Sequence, residues 1–386
     1  MKNPNVAVIF GSRSAEHDVS IVTALASIIK PLELTKQYTV TPVYIAKDGK
    51  WYSDEKLKDI GLYTSGKIDD FLKTQKPVAL QFAGGFRLLK PGVKNRVIDI
   101  DIVFPATHGT HGEDGELMAV LEMANVPYVG CGVPASVISM DKVLAKQTAR
   151  AAGIATPKFC NFSRAEFNQD SQRCIGIIKQ TLQYPLFVKP PHLGSSIGIT
   201  QVAEPQALQN AIEVALHYDD HVLVEEGVSN LTEVTLPIMG NDELRPALLE
   251  EPLTKPEDFF DFETKYMQGG KKGKNGGKAG AQGYSRVPAD LPNDLYDKAE
   301  STGLAVYRAI GCTGIARVDM LIDGKSGIVY FNEVNPLPGG LYSHNWNKAG
   351  LSNVELVTKL IALAQERHAK KQETETVFST NYLKQF

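Results

Sequence analysis

Two apolar runs near the C-terminal end restrict most what this chain can fold into. Gly314-Ile-Ala-Arg-Val-Asp-Met-Leu-Ile322 has strand composition, and Gly327-Ile-Val-Tyr-Phe331 is a second apolar run. Asp323-Gly-Lys-Ser-Gly327 between them is turn chemistry, so the two strands are expected to pair antiparallel. Side chains alternate along a strand, which puts Arg317 and Asp319 on one face, and Glu333 and Asn335 likewise on one face. With an odd-length connection the two faces coincide, and three oxygen donors converge beside a fixed cation. Asp319, Glu333 and Asn335 bring neither sulfur nor imidazole, the preference of a hard cation such as Mg²⁺. A Mg²⁺ held by few carboxylates usually shares itself with nucleotide phosphates, which points to phosphoryl chemistry. Taken alone, the same residues also suit ordinary polar decoration of a hairpin end.

At 386 residues the chain is too long for one small core and suggests two or three domains. A hydrophobic content of 43% and a charged content of 22% belong to a globular protein in water. A formal net charge of −3 gives no reason to expect nucleic acid or an anionic membrane as partner. The N-terminal residues run straight into a strand without a signal-peptide core. No apolar run approaches the roughly 20 residues that span a bilayer, so a cytoplasmic protein is expected. Cys131, Cys160, Cys174 and Cys312 lack the spacing of a zinc motif or a disulfide framework.

Strand, Gly/Ser loop and helix open the chain: Val6–Phe10, then Gly11-Ser-Arg-Ser-Ala-Glu16, then a helical pattern through Ile29. The loop lacks the three-glycine dinucleotide fingerprint, which disfavours a Rossmann dehydrogenase. Further strands are expected at Tyr38–Ile45 and Ile98–Phe104, with a polar elaboration from Ser53 to Lys94 between them. A helix is expected over Gly115–Ala124, and one helix is expected to contain Met140-Asp-Lys142. A new α/β unit begins near Thr156-Pro157. The stretch from Gly269 to Gly283 is rich in Gly and Lys, and the tail from Gln365 is polar.

Lys189-Pro-Pro-His-Leu-Gly194-Ser195-Ser196 offers backbone donors and hydroxyls to phosphate oxygens, with the lysine arriving at the end of a strand. It is not a Walker loop, and a plain surface turn is the alternative. Glu225-Glu226-Gly-Val228 ends another strand, where backbone groups suit an adenine edge and Glu233 a ribose; two solvated glutamates are the alternative. His108 and His111 have no third metal partner, so His108-Gly-Thr-His-Gly-Glu-Asp-Gly115 reads as a substrate-facing loop. Phe259 to Lys265-Tyr266 precedes the Gly/Lys stretch and suits a lid that excludes water.

In this order the segments resemble the D-alanine–D-alanine ligases of the ATP-grasp superfamily. The resemblance runs from Phe10-Gly-Ser-Arg-Ser-Ala-Glu-His-Asp-Val-Ser20 through His108–Gly115, Tyr128–Ser136, Met140-Asp-Lys142, Leu193–Gly198 and Phe262-Glu-Thr-Lys-Tyr266 to Asn332–Asn335. It implies a three-domain ATP-grasp fold, α/β with α+β in its C-terminal part: an N-terminal α/β domain on the first-substrate side (1–128), a central ATP-grasp domain (129–222), and a C-terminal ATP-grasp domain (223–386) with the Mg²⁺ site and a flexible loop at 267–284. ATP would lie between the last two. The implied reaction phosphorylates one D-alanine on its carboxylate; the amine of a second then displaces phosphate, for peptidoglycan synthesis. Lys142, Lys189, Ser195, Ser196 and Phe259 would contact ATP, with Glu225, Val228 and Glu233 at adenine and ribose. Asp319, Glu333 and Asn335 would bind two Mg²⁺ ions, with Mn²⁺ able to stand in, and Arg317 would stabilise the transferring phosphoryl group. Glu16 would anchor the first ammonium and join Ser195 and Tyr266, while His108, Lys265, Gly339 and Ser343 would meet substrate. Family members are commonly homodimers.

The resemblance breaks after Asn335. The family follows Pro-Gly with an aromatic or methionine, a threonine and an acceptor-binding serine. Here Pro338-Gly-Gly-Leu-Tyr342-Ser343-His344-Asn-Trp346 is shorter and brings His344 and Trp346. A related carboxylate–amine ligase with another second substrate, or an inactive nucleotide-binding homologue, is the rival reading.

Overall fold

The computed structural model describes residues 3–82, 84–92, 95–253 and 285–386. The expected contributions of Phe259, Lys265, Tyr266 and the 267–284 loop lie outside them. Buried apolar runs build the first sheet, β3-β2-β1-β7, from β1 (Asn5–Gly11), β2 (Thr39–Ile45), β3 (Trp51–Tyr52) and β7 (Ile102–Pro105). β1 is parallel to β2 and β7. A small sheet of β4 (Ala79–Gln81), β5 (Phe86–Lys90) and β6 (Arg96–Ile100) precedes β7. The single strand expected over Ile98–Phe104 is therefore two strands in two sheets. The break falls at Asp101, whose carboxylate accepts the Asn5 N–H at 2.7 Å.

The first helical pattern continues past Ile29. His17–Val22 is α-helical, Thr23–Ile29 is π-helical and Lys30–Thr35 is α-helical again. Pro31 has no N–H to close a helical bond and its ring crowds the preceding turn, so the chain widens just before it. The expected single helix around Met140-Asp-Lys142 is likewise two, Val133–Met140 and Lys142–Ala151. Asp141 is extended and its side chain accepts from Val143 N and Leu144 N, so it stops one helix and caps the next.

The unit from Thr156 is antiparallel rather than α/β. β8 (Phe159–Ser163), β9 (Leu186–Lys189), β10 (Thr200–Val202) and β11 (His221–Glu226) form the order β10-β9-β11-β8. β9 returns to β10 through the 190–199 loop instead of a crossover helix, and the pair is antiparallel. Its core packs the helix Leu208–Tyr218 against the sheet. The third sheet, β13-β12-β16-β17, is made of β12 (Leu231–Gly240), β13 (Leu244–Pro246), β16 (Gly314–Asp323) and β17 (Val329–Asn335). The short pair β14 (Glu251–Pro252) and β15 (Ser285–Arg286) stands beside it.

One face of the third sheet is apolar. Ala316, Val318, Met320 and Ile322 are buried in one cluster with Ala299, Val306 and Ile310 of the helix Asn293–Ile310 and with Ala145 and Ala149. The intervening residues, Arg317 and Asp319, are left on the other face. The helix Asn353–Gln372 extends into the polar tail and packs into the first sheet's core through Leu356, Leu360 and Ile361. Arg367 on it donates to Tyr128 O at 2.8 Å and Thr313 Oγ1 at 2.6 Å, tying β16 to the end of the first unit. Among the described residues no helix is long and apolar enough to cross a membrane.

Candidate active site

The polar face of β16 and β17 carries the expected metal residues. Asp319 stands opposite Glu333, and Arg317 opposite Asn335. Thr235 of β12 flanks Asp319 on the other side, so Thr235, Asp319 and Glu333 form a row across three strands. The connection that pairs Ile322 with Val329 is residues 323–328, an even number and not the odd one expected. A bulge between Asp319 and Met320 restores the parity by leaving Asn332 unpaired.

Arg317 holds Asp319 with two parallel bonds, Nε to Oδ1 at 2.7 Å and Nη2 to Oδ2 at 2.5 Å. Asp319 raises the guanidinium's affinity for its proton even against burial. Asn335 Nδ2 donates to Asp319 Oδ2 at 3.1 Å. Lys142 Nζ lies 3.5 Å from Glu333 Oε2 and donates to Leu193 O at 2.7 Å. One lysine thus joins the metal face to the Gly/Ser loop.

That loop presents Ser195 and Ser196 in left-handed backbone (φ 55° and 59°), which side chains rarely adopt. Ser195 Oγ donates a short bond to Glu16 Oε1. Glu16 is brought there by the turn after β1, and the loop 108–111 closes over it. At Gly109, with φ +68°, an added Cβ would lie 2.8 Å from Glu16 Oε2, so glycine is needed for this approach. Burial, then repulsion from Glu113, raises the Glu16 pKa, while the Ser195 bond opposes the rise.

His108 is 3% exposed and reaches the site indirectly. Its Nε2 is 2.9 Å from Thr23 Oγ1, which also accepts the Gly340 N–H at 3.0 Å. Glu113 accepts from Gly109 N at 2.8 Å and Leu337 N at 3.3 Å, so this carboxylate links the two loops. Burial works against the imidazolium, but Glu113 and Glu16 raise its pKa on balance. Gly339 opens the short turn that leads to Ser343, the first residue of the helix Ser343–Lys348.

Lys189 at the end of β9 is paired with Glu225 of β11, and Lys146 Nζ lies 3.0 Å from the other oxygen of the same carboxylate. The Glu225 side chain is therefore counter-ion to two buried lysines. Burial opposes its charge, but Lys146 and Lys189 pull its pKa down to about 2. Lys189 is raised despite burial, through Glu225 and more distantly Glu333 and Glu233. Lys146 moves the other way, because its burial and the charge of Lys189 outweigh Glu225. Val228 is half-buried just after β11, and Glu233 on β12 pairs in register with Leu321.

Several residues of this site escaped the sequence reading. Lys146 follows Lys142 by one helical turn, an i,i+4 spacing that places both ammonium groups on one side. Thr23 carried no motif, and Glu113 and Tyr342 stood inside motif segments without a role of their own. The two departures in the acceptor segment have separate roles: Trp346 is fully buried in the core, and His344 Nε2 bonds Glu250 Oε2 at 2.8 Å.

Family models match both halves of the chain: D-ala D-ala ligase N-terminus over residues 5–131 and D-ala D-ala ligase C-terminus over residues 148–362. A D-alanine–D-alanine ligase of Chlorobium phaeovibrioides is 35% identical over 95% of this chain and 98% of its own. One from Bacillus pumilus is 34% identical over 97% and 99%. Among solved structures, the VanG D-Ala:D-Ser ligase of Enterococcus faecalis superposes with a TM-score of 0.78 at 33% identity, covering 94% of this chain and 100% of that one. The D-alanine–D-alanine ligase of Coxiella burnetii gives 0.79 at 25% identity, covering 97% of both chains.

Proposed function

The chain belongs to the D-alanine–D-alanine ligase family, and from that premise we infer that it joins two D-alanine molecules at the expense of ATP. The observation that carries this reading is one continuous row of polar groups, joined by side-chain contacts and, between Glu333 and Asp319, by strand register. It runs from Glu16 through Ser195, the backbone at Leu193, Lys142 and Glu333 to Asp319 and Arg317. In this reading residues 1–128 hold the first substrate, and ATP is gripped between 129–222 and 223–386.

Glu16 accepts the ammonium of the first D-alanine, and its bond to Ser195 orients the carboxylate. Lys142 and Lys189 face the ATP phosphates, and Glu225 with Lys146 keeps Lys189 extended toward them. Arg317 meets the γ-phosphoryl group as it passes to the substrate carboxylate, where charge develops. That transfer yields an acyl phosphate and ADP. The amine of the second D-alanine then attacks the acyl carbon, loses a proton and expels phosphate.

The donor set suits a divalent cation. Asp319, Glu333 and Asn335 are oxygen-bearing, share a face and lie beside a lysine and an arginine that attract phosphate. The Asn335 amide presents its nitrogen to Asp319, and a turn about its terminal bond presents the oxygen instead. Mg²⁺ bound there, as two ions or with Mn²⁺ in its place, would neutralise charge on the transferring phosphoryl group.

The test is release of ADP and phosphate with D-alanine, with D-serine as the competing acceptor. No turnover with D-alanine, or a Lys189→Met variant at full activity, would count against this reading. The implied homodimer is checked by sedimentation, and the cytoplasmic location by fractionation of the native host.

A further inference from the structure

We propose that Tyr342 is a positioning residue for Arg317, so that the segment departing from the family's acceptor pattern also sets the geometry of phosphoryl transfer. The proposal rests on the role assigned to Arg317 above. Asp319 grips the guanidinium along one edge only, through Nε and Nη2. Two bonds along one edge still let the plane tilt about the line to the carboxylate. The Tyr342 ring lies over the guanidinium, 5.0 Å from its Cζ to the ring centroid, within cation–π range. Contact with the ring removes that tilt.

The tyrosine reaches this place on a backbone that side chains seldom adopt. Gly340, Leu341 and Tyr342 are all left-handed, with φ of 58°, 55° and 52°. Two of the three carry a Cβ, so the turn is disfavoured locally and must be held by its surroundings. Its anchors surround it. Gly340 N donates to Thr23 Oγ1 at 3.0 Å, and Leu341 and Trp346 are fully buried. Thr235 Oγ1 lies 3.4 Å from the Tyr342 hydroxyl, a weak contact. The ring also meets His344 at 4.8 Å between centroids, and His344 is fixed by Glu250. The ring therefore touches a tethered histidine as well as the arginine. A residue that only filled space there could be exchanged for another apolar group of similar bulk.

Tyr342→Leu and Tyr342→Phe separate these meanings. In the leucine variant ADP formation in a single turnover, and kcat, should fall about tenfold, with KM for ATP and D-alanine within about threefold of wild type. Phenylalanine keeps the ring face and should restore kcat to within about threefold of wild type. Tyr342→Met serves as a second ring-free variant should leucine unsettle the turn. Wild-type kcat in the ring-free variants, equal losses in the leucine and phenylalanine variants, or an effect confined to the acceptor KM would each overturn the proposal. A second readout needs no turnover. The Nε–H resonance of Arg317 in ¹⁵N-arginine-labelled protein, assigned through Arg317→Lys, should shift when the ring is removed and stay near its place in Tyr342→Phe. An unmoved resonance overturns the proposal. A chain that fails to join D-alanine would refute the function above, and the resonance still decides where Tyr342 stands.

Discussion

Asp319 faces Glu333 one residue out of step with the hairpin that carries them. Leu321 pairs with Tyr330 and Met320 with Phe331, but Asp319 pairs with Glu333 and skips Asn332. Without that skip Asp319 would oppose Asn332, while Glu333 and Asn335 would turn toward the apolar cluster under the sheet. The bulge thus decides whether the three oxygen donors meet.

Deleting Asn332 should therefore remove Mg²⁺-dependent ATP binding and lower kcat by at least about 100-fold, with a loss of stability from burying a carboxylate. Glu333→Gln keeps the bulge and should lose the Mg²⁺ dependence with little change in Tm. Calorimetric ATP titrations with and without Mg²⁺, beside thermal melts, read both effects. A deletion variant whose ATP affinity still responds to Mg²⁺ would refute the register argument.

Glu225 balances Lys146 and Lys189 in a site where none of the three is more than 9% exposed. Glu225→Leu leaves two buried ammonium groups unopposed and should cost about 3–5 kcal/mol of stability in urea titrations at pH 7. Adding Lys146→Met should recover part of that loss, since one orphaned charge is then gone. The Glu225 pKa is depressed, so its stabilisation is present above the ordinary glutamate value of 4.5 and fades as pH falls toward about 2. The gap between wild type and Glu225→Leu should shrink over that window.

Burial, followed by Glu113, raises the Glu16 pKa, and only its ionised form can hold a substrate ammonium. The kcat/KM for D-alanine should fall as the medium is acidified through that raised value. Ser195 donates a bond that favours the carboxylate, so Ser195→Ala should move the acidic limb to higher pH. Superimposable pH profiles for wild type and Ser195→Ala would contradict the assignment.

His192 stands between Asp141 and Asp219, at 3.4 Å and 3.0 Å, and ties the Gly/Ser loop to the cap of the Lys142 helix. Bonds to Asp141 and Asp219 raise its pKa from 6.5 to about 10. A raised histidine stabilises fully below its unfolded value and loses the effect as pH climbs through the folded one. The Tm difference between wild type and His192→Ala should be largest near pH 6 and shrink toward pH 10. Because the ring is nearly half exposed, solvent screening should keep the difference small. A constant difference across that range would argue against the clamp.

Much of the site was legible in residue types. Lys189 stands at a strand end beside a Gly/Ser loop, and Asp319 and Glu333 at alternating positions of a hairpin, where residue types already pointed to phosphate and a hard cation. Lys142 entered only through the family resemblance. The first fold expectations that failed did so at single residues with local reasons. Asp141 prefers to cap, Asp101 binds a neighbouring strand, and Pro31 widens the turn before it. Lys146 was missed although its spacing from Lys142 was visible, because a lysine in a helix is ordinarily solvated. Its burial exists only once β11 brings Glu225 beside it.

By itself the sequence determined which donors stand at alternating positions and that two strands would meet across a turn. It even held a trace of the bulge: the buried residues of β17 are Val329, Phe331 and then Val334, a step of three where pleating alone gives two. The tertiary structure alone decided what that step meant. Alternation is local, but register is chosen by which side chains find the apolar cluster beneath the sheet, and that cluster is built by residues far away in the chain. The same holds for Tyr342, whose left-handed backbone no local preference supplies. It is held over Arg317 by Thr23, by a buried tryptophan and by a histidine fixed on Glu250.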